Sequence, residues 1–137
     1  MRRDELQKLA EAKLAEAHLL LRYNRATNAY YLAGYAVELA LKACIAKQIS
    51  ANTIPDKDFI KNVYSHEFAK LVNLAGLASE LKREQRKEPN FAANWAIAAE
   101  WLPDARYRPY TMFDAQTLFE AIAHPEHGVL QWIRRFW

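Results

Sequence analysis

Over residues 27–49 the chain runs TNAYYLAGYAVELALKACIAKQI, apolar around most of a helical circumference, with one acid (Glu38) and one base (Lys42) set into its middle and a second base, Lys47, near its end. A helix of this kind must be covered by neighbours on several sides, so the stretch is read as the central helix of a bundle. Ala29, Ala33, Ala36, Ala40 and Ala43 recur every three or four positions, with Gly34 beside them. Such a strip lets a neighbour approach closely. Glycine inside a helix costs about 1 kcal/mol relative to alanine, which close packing at Gly34 would explain. Tyr30, Tyr31 and Tyr35 stand next to the strip, each with a ring to bury and a hydroxyl that wants a partner. Asn28, Glu38 and Lys42 interrupt the apolar run short of the roughly 20 residues of a membrane span, and a span is not expected.

The same periodicity organises the flanks. Leu6, Leu9, Ala10, Leu14, Ala17, Leu20 and Leu21 form a stripe at helical spacing. Asp4 and Gln7 are placed as a capping box for that first helix, which should end near residues 22–25. Residues 50–59, with Pro55 among Ser, Asn and Asp, read as a loop. Ser65 is placed to cap a third helix carrying Phe68, Leu71, Val72 and Ala75, which Gly76 closes. His66 and Glu67 fall in its first turn, His66 either hydrated or turned toward the central helix. Residues 78–88 carry the densest charge, balanced in sign: a solvated helical face, with a nucleic-acid patch as the alternative. Pro89 ends it, and Asn90 caps a fourth apolar helix, FAANWAIAAEWL, that stops at Pro103. Residues 104–114 are expected to be a loop. Asp114 is expected to cap the next helix, which runs to Ala123, with Phe113 and Leu118 as a hydrophobic staple. Pro125 suits the first turn of a short last helix. The pattern predicts an all-α, up-and-down bundle of four to five main helices with short additional ones, in one domain over residues 1–137.

Composition narrows the function classes. The 137 residues are 52% hydrophobic with three glycines, and β-branched residues are scarce, as a helical core requires. The net charge of +3 comes from interleaved acids and bases, so charge alone argues for no nucleic acid. Cys44 is the single cysteine; it rules out an internal disulfide and points to a reducing compartment. The charged start MRRDELQKLAEAK lacks the apolar segment of a signal peptide. A cytoplasmic protein with no membrane partner is expected.

Few residues carry recognisable chemistry. The chain has no G-x-S-x-G, no glycine-rich phosphate loop, no Cys-x-x-Cys and no H-E-x-x-H. His124 and His127 flank Glu126 in a proline turn, a weak metal pattern, and no metal or cofactor is expected. His18, beside the first stripe, reads as a packed histidine. Glu38 and Lys42, spaced i, i+4 with the acid first, form either a surface ion pair or part of a buried cluster in which Glu38 meets a cation from another helix. Arg106, Tyr107 and Arg108 sit in a loop dense in Arg and Tyr, a composition suited to recognition; in the alternative, one of these arginines turns inward to neutralise Glu38.

AYYLAGYAVELALKA (residues 29–43), SHEFAKLVNLAGL (65–77) and ARYRPY (105–110), in this order, resemble the HEPN family, named for higher eukaryotes and prokaryotes nucleotide-binding. The resemblance implies a bundle of four or five helices, often homodimeric, frequently partnered by a minimal nucleotidyltransferase, and in many members an RNase of toxin–antitoxin or defence systems. The catalytic members carry an arginine followed four to six residues later by a histidine, and no arginine here has that spacing. No catalytic residue is therefore assigned. What the resemblance carries over is a candidate binding set: Glu38 and Lys42 on the central helix, His66 at the next helix start, and Arg106, Tyr107 and Arg108 after the fourth helix. The expectation is a non-catalytic module that binds nucleotide or RNA, or docks a nucleotidyltransferase. One alternative is an RNase built from His66 and the loop arginines across a dimer. Another is a purely structural dimer whose assembly surface is Trp132, Phe136 and Trp137.

Overall fold

The computed structural model describes residues 1–137. It is 71% helical and has no strand. Eight α-helices follow in order: α1 Arg3–Arg22, α2 Ala26–Ala46, α3 Lys57–Val63, α4 Phe68–Leu74, α5 Ala78–Lys87, α6 Pro89–Ala98, α7 Met112–Ala123 and α8 Val129–Ile133. A 3-10 turn, Pro103–Tyr107, lies between α6 and α7.

α2 is the axis. It packs along α1 across a tight turn in which Asn24 takes φ 58°. α7, α4, α8 and the 3-10 turn cover its other sides. All five alanines of the small-residue strip are buried at 0–1% exposure. Trp101, just beyond α6, lays its indole directly on the bare backbone of Gly34, which is the close approach that the glycine permits. Thirty buried residues join in one core cluster, with Trp101, Phe91, Leu41 and Leu118 among its largest side chains. By length and composition α2 does meet the requirement for a membrane span, contrary to the sequence expectation, and 72% of its apolar window is buried against the rest of the chain.

Helix ends differ from expectation in instructive ways. Asp4 lies inside α1, and Glu5 Oε2 accepts the Arg2 backbone N–H at 2.9 Å. α2 stops at Ala46 rather than residue 49. Residues 57–63 form α3 within and beyond the expected loop, because Asp56 accepts the Phe59 N–H at 2.7 Å and so caps a helix. Ser65 Oγ accepts the Glu67 N–H at 3.1 Å, a local turn that sets Ser65 and His66 just ahead of α4 rather than in it. α4 ends as expected: Gly76 takes φ 72°, its N–H donates to Asn73 O, and the Leu77 N–H reaches back to Val72 O. Pro89 opens α6 at its first turn, so Asn90 is not the cap. Thr111, not Asp114, caps α7; Phe113 is 76% exposed and staples nothing. The C-terminal aromatics are not a free surface either. Trp132 is 3% exposed against Phe91 and Trp95, and Phe136 and Trp137 pack partly buried on the core.

Candidate functional site

Glu38 is the only buried charged residue, with its side chain 5% exposed. A carboxylate in that position has to be paired. Lys42, one turn further along α2, places Nζ 2.9 Å from Glu38 Oε1. His66 arrives from the segment before α4 and places Nδ1 2.8 Å from the same oxygen. The local turn at Ser65 aims the imidazole inward, while the ring stays 54% exposed. With the carboxylate accepting at Nδ1, a neutral ring has its proton there and offers the Nε2 lone pair outward.

The loop arginines are elsewhere. The 3-10 turn carries Arg106 to Tyr31, with its guanidinium carbon 5.8 Å from the Tyr31 ring centroid and 4.8 Å from that of Tyr107. Arg108 pairs with Asp104 at 2.8 Å on the surface. Neither arginine reaches Glu38, because Tyr31 lies seven residues before it, about 10 Å along the helix axis. The only group from another element that meets the Glu38 carboxylate is the His66 imidazole. Thr27 Oγ1 accepts the Tyr110 N–H at 3.3 Å, and Tyr110 stacks on Tyr30 at 3.7 Å, which ties the loop to the start of α2.

The two groups nevertheless lie on one line. Tyr31, Tyr35, Glu38 and Lys42 occur at i, i+4, i+7 and i+11, which a helix of 3.6 residues per turn sets on a single face. Tyr31 and Tyr35 meet edge to face with centroids 5.9 Å apart. Burial raises the Tyr35 phenol pKa, and the Glu38 charge raises it further. The face thus runs from the Arg106 guanidinium over two tyrosine rings to the Glu38–His66–Lys42 cluster. Tyr31 and Tyr35 are absent from the candidate set chosen by sequence, although their spacing from Glu38 was there to find them.

The histidine pair has a structural use. His124 and His127 stack at 5.5 Å, and His124 Nδ1 accepts the backbone N–H groups of Glu126 and His127 at 3.1 and 2.9 Å. No three His, Cys, Asp or Glu side chains cluster as a metal site. No family model, curated protein or solved structure matches the chain.

Proposed function

We propose that this chain is a HEPN-like bundle that binds nucleotide or single-stranded RNA along the Tyr31–Lys42 face of α2 without cleaving it, as a module of a toxin–antitoxin or defence-type system. The observation that carries the reading is the alignment of Arg106, Tyr31, Tyr35 and the Glu38–His66–Lys42 cluster on one face. Tyr31 and Tyr35, partly buried against the core, leave ring surface on which a base can stack, and an arginine held over a ring supplies a cation for phosphate; stacking plus cations is how single strands are bound without sequence readout. The sequence resemblance supports the same reading, with a homodimer or a nucleotidyltransferase as protein partner.

Fluorescence anisotropy with a labelled oligo(U) strand tests it. Binding should weaken as salt rises, and Arg106→Ala, an exposed position, should cost about fivefold or more, since a stacked and charged arginine contributes on the order of 1 kcal/mol. Unchanged binding in that variant would remove the α2 face from consideration.

His66 favours one rival. Its ring is half exposed and its Nδ1 is held by a buried carboxylate, which is how a general base is oriented. Cleavage of the same strand by pure protein, lost in His66→Gln, would replace the binding reading with an RNase of rearranged site.

A further inference from the structure

A second polar cleft lies away from the α2 face. It is a cavity of about 370 Å³ between α1 and α7, lined by His18, Leu21 and Arg22 from one helix and by Gln116, Phe119 and Glu120 from the other. That volume falls at the small end of ligand sites. Some surface charges pair, as Arg134 does with Glu11 and Arg83 with Glu80, and others, such as Arg3, Lys8 and Arg25, stand free. Here His18, Arg22, Gln116 and Glu120 converge with no side-chain hydrogen bond or ion pair among them. Arg22 and Glu120 carry opposite charges on the same cleft and stay apart, leaving room for a ligand between them. One wall is aromatic: His18 stacks on Phe119 with centroids 5.2 Å apart and planes 14° from parallel.

We propose that this cleft binds a guanine nucleotide. Gln116 and Glu120 are i, i+4 neighbours on α7 and present their side chains together. A carboxylate only accepts hydrogen bonds, and its two oxygens match the N1–H and N2–H donors of guanine; the Gln116 amide can donate to O6. Adenine offers a lone pair at N1, and uracil flanks its single N–H with two carbonyl oxygens, so a carboxylate selects against both. The His18–Phe119 wall supports the base plane, and Arg22 takes the phosphate with its planar fork. This inference rests on the nucleotide-binding reading above and locates a separate, base-selective part of it.

Titration calorimetry of the full chain with GMP, AMP and guanosine is the test. GMP should bind at least about tenfold more tightly than AMP, the discrimination expected of a bidentate base contact. Glu120→Gln, at an exposed position whose fold is checked by circular dichroism, should erase that preference. Arg22→Ala should weaken GMP but leave guanosine unchanged. Absent GMP binding, equal affinity for AMP, or a preference that survives Glu120→Gln would each overturn the proposal. Oligo(U) contains no guanine, so the two readings fail separately. Loss of GMP binding with intact, Arg106-dependent oligo(U) binding sinks the cleft alone. The opposite pattern sinks the α2 face alone.

Discussion

At the scale of single residues, two positions on α2 set how the bundle closes. Glu38 is tolerated in the core because the Lys42 ammonium and the His66 imidazole converge on one of its oxygens, and both of those partners keep some contact with water. Gly34 is required for a steric reason. A methyl group there would sit inside the Trp101 indole. On propensity alone Gly34→Ala should stabilise the helix by up to about 1 kcal/mol. Overpacking typically costs about 1–3 kcal/mol, and here the displaced group is a rigid ring that is 1% exposed. Urea unfolding should therefore show Gly34→Ala to be less stable than the native chain by at least about 1 kcal/mol. Adding Trp101→Leu should remove the penalty of the alanine, so that the two changes couple strongly in a double-mutant cycle. Independent, additive effects would mean that the ring does not rest on that glycine.

At the scale of elements, α7 shows how a helix is started and what the start is for. Thr111 Oγ1 accepts the Asp114 N–H at 3.1 Å, and Asp114 Oδ2 accepts the Thr111 N–H at 3.1 Å, a reciprocal pair. The acid also favours the positive end of the helix. The helix so begun buries Ala115, Leu118, Ala121 and Ile122 and leaves Gln116 and Glu120 facing the α1 cleft. Thr111→Ala removes one of the two bonds and should lower stability by about 1 kcal/mol, seen as a fall in melting temperature of about 3–6 °C. A melting temperature that stays put would show that tertiary packing alone holds the start of α7.

At the scale of the whole molecule, burial couples stability to alkaline pH. Burial pushes the Cys44 thiol up from 9.0 to about 11, and burial, helped by Tyr110, pushes the Tyr30 phenol up from 10.0 to about 12. In both cases the folded state holds its proton longer than the unfolded chain. The stability each contributes is complete below its unfolded value and is lost as pH rises toward the folded one. Unfolding midpoints should hold steady up to about pH 9 and then fall between about 9 and 12. Cys44→Ala, though weakened overall by a small cavity, should show a shallower decline above pH 9. A midpoint that rose over that range would contradict the burial of both groups.

Periodicity alone was enough for the all-helical class, the central place of α2 and the inward sides of α1 and α4, because burying apolar area needs only the right spacing on one helix. It was also enough for the Gly76 stop, which is a local backbone demand. Helix starts were placed a few residues out, since Asp4, Asn90 and Asp114 are all competent caps and only the route of the preceding chain decides which oxygen meets which N–H. The 3-10 turn and α3 were invisible as apolar patterns. What answers Glu38, where Arg106 comes to rest, and the cleft between α1 and α7 depend on side chains brought together from segments far apart in the chain. No spacing encodes such meetings. They are settled by how the helices dock, and docking is decided by the shape of the whole core.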